Sequence, residues 1–278
     1  KFGAKFILLL EDIFPQNAID LNILKGWKHK PVVKFFEWIE KKVYKKADII
    51  TFHSEGGRKF LIDNKGIPSE KIVAIPNWVD ISSYQNLPGQ ISFRDKWSLQ
   101  GKFILVFAGI MGPAQGMEFI VEVAKKVSDM KDIVFLLVGD GMEKGKIESL
   151  VEKYNIKNIF IKSFISKEEY PYLVKDSDVG LVCLSAHNKT PFIPGKFLGY
   201  MASGKAVLAF LNKESDGFKL VKESRSGYAV VSSDVSQAAE VVKKMYSERE
   251  KLREMGQNGL IYTKDHLSLE VVLDKFPL

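Results

Sequence analysis

The chain has 278 residues, 46% of them hydrophobic and 27% charged, enough material for one large or two medium domains with buried cores. A single cysteine, Cys183, excludes a disulfide framework or a cysteine-based zinc site, and no apolar run reaches the roughly 20 residues that a membrane-spanning helix needs. The net charge of +7, from 41 basic and 34 acidic residues, is too mild to imply nucleic acid without a basic stripe carrying stacking aromatics.

In chain order, residues 6–10 carry a strand pattern that runs straight into Glu11-Asp12 and a loop with Pro15. That apolar run is too short for a signal peptide, and with one cysteine in the chain a reducing compartment, the cytoplasm, is the expected location. The chain opens Lys1-Phe2-Gly3 without Met, as a segment cut from something longer would. Residues 32–46 show helical spacing through Val32, Phe35, Phe36, Ile39 and Val43. A strand at 48–52, a helix at 57–64 stopping near Gly66 and a strand at 72–75 follow. Pro76-Asn77-Trp78-Val79-Asp80 breaks the pattern, and 82–100 is polar and irregular. A second series then sets strands at 103–108, 133–138, 159–161, 180–184, 206–210 and 227–231. Between them lie a glycine loop at 109–116 and helices at 117–127, 143–154, 167–174, 196–202 and 218–223. A helical tail runs from Gln237 to the end.

Short, largely β-branched strands alternating with helices of ten or so residues predict parallel sheets covered on both faces. The fold class expected is α/β, with two doubly wound domains. The expected divisions are a first domain at 1–80, a connector at 81–100, a second domain at 101–236 and C-terminal helices at 237–278, the last a candidate to cross back to the first domain. In such folds ligands sit at the carboxyl ends of the strands, in the loops that lead into helices.

Four segments, read together, resemble the group-1 (family 4) retaining glycosyltransferases of GT-B fold. They are Ile67-Pro68-Ser69-Glu70-Lys71-Ile72-Val73-Ala74-Ile75-Pro76-Asn77-Trp78-Val79-Asp80, Phe107-Ala108-Gly109-Ile110-Met111-Gly112-Pro113-Ala114-Gln115-Gly116, Phe135-Leu136-Leu137-Val138-Gly139-Asp140-Gly141, and Pro194-Gly195-Lys196-Phe197-Leu198-Gly199-Tyr200-Met201-Ala202-Ser203-Gly204-Lys205. With Glu11-Asp12-Ile13-Phe14-Pro15 they look most like the fucosamine-transferase-like subgroup of bacterial surface-polysaccharide synthesis. The resemblance implies a first domain lacking its opening strand and glycine loop, in a whole enzyme longer by roughly one hundred residues. An incomplete first sheet of that kind would expose an edge and an apolar face.

The resemblance also implies donor-side roles. Gly109, Gly112, Gln115 and Gly116 lie in a loop entering a helix whose N–H groups suit a diphosphate. Relatives usually add an Arg and a Lys there; here Ile110 and Gln115 take those places. Lys196 opens a helix and is placed to meet a phosphate as a point charge. Relatives usually have a ribose-gripping Glu three residues on, but here the position is Gly199, on the same helix face, and the other Glu of their pair falls at Pro191. Asp12 is the candidate to orient acceptor or donor, although Glu11 replaces the usual His; the alternative is an Asp capping the turn before Pro15. Asp140 is a candidate for the nucleotide pocket or for a turn, Phe164 ends a strand where the main chain would read the base, and His187 lies in a loop beside the donor sugar.

Other signals have plainer readings. Gly139-Asp140-Gly141-Met142-Glu143-Lys144 lacks the last glycine of a dinucleotide fingerprint. Asp176-Ser177-Asp178 has the form of a metal-binding pair but precedes a strand, and the four histidines have no ligand spacing, so no metal and no cofactor is expected. Eight lysines between 25 and 46, against Glu37 and Glu40, lie among Trp27, Phe35, Phe36, Trp38 and Tyr44. That suits contact with anionic lipid headgroups; the alternative is a surface helix with Phe35, Phe36, Ile39 and Val43 packed on the sheet. The resulting expectation is a metal-independent, membrane-peripheral transferase with a nucleotide-sugar donor (UDP first) and a lipid-linked glycan acceptor. A non-catalytic partner subunit with a decayed donor site is the rival; a sugar-nucleotide epimerase of the same architecture would need an acid and a base not seen here.

Overall fold

The computed structural model describes residues 3–89 and 91–276, so the outermost residues of the expected first domain and tail, and position 90 of the connector, lie outside the described residues. Apolar runs of three to six residues form the strands, and every pairing among them is parallel. The first sheet has the order β1-β2-β3, from β1 (Ile7–Leu10), β2 (Ile49–Phe52) and β3 (Ile72–Ala74). The second has the order β6-β5-β4-β7-β8-β9, from β4 (Phe103–Ala108), β5 (Ile133–Val138), β6 (Ile159–Lys162), β7 (Val179–Cys183), β8 (Ala206–Leu211) and β9 (Gly227–Val231). This is the α/β architecture with parallel sheets that the alternating pattern predicts.

The second sheet is the better buried. Every residue of β4, β5, β7 and β8 is buried because helices cover both faces. Strands are added outward from β4 on one side and from β7 on the other, so a crevice opens where the order reverses, between the carboxyl ends of β4 and β7. The first sheet has a smaller core around Ile50, Phe52, Leu61 and Ile72. There β1 pairs with β2 alone among the described residues, and Leu9 remains 53% exposed.

Two regions differ from the sequence expectation. The stretch 82–100 holds two one-turn helices, Ser82–Gln85 and Phe93–Lys96, the second anchored because the Asp176 carboxylate accepts the Phe93 and Arg94 N–H groups at 2.6 and 3.2 Å. Asp178 likewise accepts the Ile104 N–H at 2.7 Å and pairs with Arg94, so the Asp-x-Asp pair holds backbone in place. The tail is three helices, Val235–Ser247, Arg249–His266 and Leu269–Leu273. Its end returns to the first sheet's side: the Val79 N–H donates to the Leu267 carbonyl at 3.0 Å, and the Trp78 and Phe276 rings meet edge to face at 5.9 Å.

Three further contacts join the two sheets' surroundings at the start of the Glu55–Lys65 helix. Ser54 Oγ donates to the Pro191 carbonyl at 3.2 Å, the Ile193 N–H donates to His53 Nε2 at 3.0 Å, and the Gly56 N–H donates to Asp216 Oδ2 at 2.7 Å. No helix among the described residues is long and apolar enough to cross a membrane.

Candidate active site

The crevice is lined by loops that only glycine lets approach one another. A Cβ on Gly139 (φ +156°) would stand 1.9 Å from the Gly109 carbonyl oxygen, so the turn after β5 lies directly on the loop after β4. Gly116 is left-handed at φ +58°, and a Cβ there would be 2.7 Å from Ser185 Cα, which brings the loop after β7 onto the same spot. Ser185 and Asn188 reinforce this seam, their backbone and side-chain N–H groups both donating to the Ala114 carbonyl, at 2.9 and 3.0 Å.

Lys196 is the first residue of the Lys196–Ala202 helix, which follows β7. Its Nζ stands 4.7 Å from the centre of the buried Phe107 ring and 3.0 Å from where a Gly109 Cβ would be. No carboxylate pairs with it among the described residues. Burial in that apolar setting lowers its pKa to about 8, although the nearby Cys183 opposes the shift. Cys183 is itself buried, and burial pushes its thiol far up, so it is inert core. Lys196, Gly109 and Gly139 thus meet at the switch point.

The remaining sequence candidates fall elsewhere. Gln115 turns back into its own loop, where its Oε1 accepts the Gly112 N–H at 3.0 Å, and Ile110 is 63% exposed. The loop therefore presents no side-chain cation. The sequence did hold the signal, because Gly112-Pro113-Ala114-Gln115 sets proline at the first helical position and glutamine at the third, a capping pattern. Asp140 is exposed and used locally, its Oδ1 accepting the Gly141 N–H at 2.8 Å and its Oδ2 lying 3.7 Å from Lys144. Phe164 is exposed just beyond β6. Asp12 is exposed at the end of β1 and accepts from Asn17 Nδ2 at 3.4 Å, away from any donor-side candidate it could bond.

A cleft of about 550 Å³ opens beyond the glycine loop, with Leu21–Ile23 of the first domain on one wall and Gly116, Ser185 and His187 on the other. Of the sequence candidates it gathers Gly116 and His187. Lys146 sits in its wall between Glu118 and Glu143, bonded to both carboxylates. Burial works against the Glu118 charge, but Lys146 outweighs it and keeps that pKa below the usual range.

Sequence reasoning missed Tyr84 and Tyr170. A Cβ on Gly199 would stand 2.7 Å from Tyr170 Oη and 3.2 Å from Tyr84 Oη, so phenols fill the space beside the glycine. It also missed His53, buried against Phe52 and Phe192, whose pKa burial lowers to about 4 so that the ring is neutral. No group of three or more His, Cys, Asp or Glu among the described residues is placed to hold a metal ion.

Comparison with known proteins bears on family and fold. A model of the family "Glycosyl transferases group 1" matches residues 90–260, well over half of the chain, and one of "Glycosyltransferase Family 4" matches residues 16–83. The glycosyl transferase WcaI of Escherichia coli, named for colanic acid biosynthesis, is 24% identical over 210 residues, covering 74% of this chain and 51% of its own. Among solved structures, HepE of Anabaena in complex with UDP and glucose superposes with a TM-score of 0.79 at 16% identity, over 98% of this chain and 70% of that one. A sucrose-phosphate synthase of Thermosynechococcus elongatus reaches 0.77 at 17% identity, over 99% and 67%. The chain spans about half the length of the curated relatives it matches.

Proposed function

Because the chain belongs to the group 1 glycosyl transferases, we propose that it moves a hexose or N-acetylhexosamine from a UDP-sugar, with retention, to a lipid-linked glycan in cell-surface polysaccharide synthesis. The observation that carries this reading is Lys196, a half-buried ammonium at the switch point with no carboxylate partner among the described residues. A partly desolvated cation of that kind favours an anion beside it. As the bond from sugar to diphosphate breaks, negative charge grows on the leaving oxygens. Lys196 and the N–H groups of the 109–116 loop are set to stabilise that charge.

UDP is supported by the complex that HepE forms with UDP and glucose, and the polysaccharide setting by the name of WcaI. In this reading Gly109, Gly112 and Gly116 give the donor close access to backbone, and the main chain at Phe164 reads the base. His187 reaches the donor sugar from the cleft wall, and Asp12 orients the acceptor from the first domain. Asp140 and Gln115 shape their loops, since both side chains are already bonded there. The basic segment 25–46 contacts anionic lipid and keeps the enzyme beside its acceptor, on the cytoplasmic face of the membrane.

A second reading, a non-catalytic subunit of the same fold, is favoured by the missing side-chain cation at Ile110 and Gln115. Calorimetric titration with UDP, GDP and ADP separates the two. Micromolar binding of one nucleotide supports a working donor site, and no binding of any by the folded chain removes the transferase reading.

A further inference from the structure

The first domain has a cavity of its own, at the end of its sheet away from the junction with the second domain. The Lys30–Lys46 helix runs back to the start of β2, and the Glu55–Lys65 helix runs back towards the start of β3. Where the two helices finish, a cavity of about 310 Å³ opens over the buried Tyr44 and Ile67. Lys41 and Lys45 line it from the first helix, Lys65 from the end of the second, and Lys71 from the turn before β3. Among the described residues no acid lines it. The buried Glu40 is already taken, by Lys65 at 3.0 Å and by the Tyr44 hydroxyl. Lys41, Lys45 and Lys71 have no ion-pair partner among the described residues. Like charges that face one cavity repel, and an anion between them removes that cost. The cavity also continues an exposed apolar face. Lys34, Trp38, Lys41 and Lys45 follow at helical spacing, so Trp38 stands on the same side of the helix as the cavity's lysines. Phe35 stacks on Trp38 at 6.1 Å, Lys42 Nζ lies 3.8 Å from the Trp38 ring centre, and both rings are exposed. Rings beside lysines on one helix face suit the boundary of a lipid layer, where rings enter and ammonium groups meet phosphate. A soluble anion would make no use of the rings.

We propose that the cavity takes the phosphate monoester headgroup of a membrane lipid, while Phe35 and Trp38 enter the layer beside it. This rests on the reading above that segment 25–46 contacts anionic lipid, and adds a pocket that selects among such lipids. Lys65 and Lys71 lie outside that segment and join it only through the fold. A monoester presents more charge and more free oxygens than a diester, so converging ammonium groups favour it. Because the cavity lies at the amino-terminal ends of β2 and β3, a lipid seated there leaves the junction at Ser54 and Gly56 uncovered.

The test is flotation with phosphatidylcholine vesicles that carry phosphatidic acid or, at matched surface charge, phosphatidylglycerol. The wild-type chain is compared with Lys41→Gln/Lys71→Gln and with Lys25→Gln/Lys28→Gln, which removes equal charge outside the cavity. The wild type is expected to bind phosphatidic acid about fivefold more tightly, the worth of one lysine at a membrane surface. The cavity variant should lose that preference, and the control variant should keep it while binding both lipids more weakly. Equal wild-type binding of the two lipids overturns the proposal and leaves the membrane contact standing. A preference that survives in the cavity variant overturns it as well. Displacement by millimolar glycerol 3-phosphate assigns the pocket to a soluble anion and overturns the lipid assignment. Binding to neither vesicle overturns the pocket and the membrane reading together. If the cavity variant fails to fold, Lys45→Gln, at an exposed position, takes its place.

Discussion

An ammonium partly withdrawn from water with no anion beside it among the described residues is disfavoured in its charged form, which is why burial brings Lys196 to about 8. A diphosphate favours the protonated form. Nucleotide affinity is therefore expected to be level below pH 8 and to fall about tenfold per pH unit above it, until the higher pKa of the complex is reached. Titration calorimetry between pH 6.5 and 9.5 reads this directly. Stability runs the other way. An unfolded lysine titrates near ~10.4, so the folded chain binds fewer protons between about 8 and that value, and the residue's unfavourable contribution is relieved as pH rises through this window. Lys196→Met should accordingly raise the melting temperature by roughly 2–4 °C while nucleotide affinity drops more than about tenfold. Gly199→Glu would not restore a carboxylate grip, because Tyr170 Oη already stands 2.7 Å from the new Cβ. It is expected to lower the melting temperature and leave nucleotide affinity no tighter. Lys196 and the glycine loop were legible in the sequence because they form a local strand–loop–helix pattern. Tyr84 and Tyr170 were not, because they sit 86 positions apart in no motif and meet only through tertiary packing.

Among the elements, the Lys30–Lys46 helix has the least ordinary surface. Its Glu40 is buried and bonded to Lys65 at 3.0 Å and to Tyr44, so its acid charge is spent internally. Trp27 just before it is 75% exposed, and Phe35 and Trp38 are 54% and 51% exposed, which corrects the alternative in which Phe35 packs on the sheet. Lysines with exposed aromatics suit a lipid headgroup layer. Changing Trp27, Phe35 and Trp38 together to alanine is expected to abolish co-sedimentation with phosphatidylserine vesicles, with little change in melting temperature, and 0.5 M salt should weaken the wild-type binding. The strands of the second sheet fall within a residue or so of their sequence positions because continuous buried apolar runs between glycines leave few alternatives. The 237–278 tail was harder: its breaks, at Glu248 and Leu267, carry no glycine or proline to announce them. One-turn helices such as Phe93–Lys96 are similarly silent, since that one depends on Asp176, more than eighty positions away.

At the scale of the molecule, the first sheet's small core leans on its contacts with the second domain. Gly56 has no room for a side chain, because a Cβ would stand 2.4 Å from the Asp216 carboxylate that caps its N–H. Gly56→Ala is expected to loosen that junction, lowering hydrogen-exchange protection in β1–β3 and leaving β4–β9 unchanged. An equal loss in both sheets would show that the two fold as one unit. Two of the junction's three bonds end at Pro191 and Ile193, within five residues of Lys196. Whatever displaces the first domain therefore pulls on the strap that leads into Lys196. In the proposed reaction, an acceptor that tightens the donor nucleotide must itself be tightened by it to the same degree, so one coupling factor, measured from either ligand, would describe the molecule.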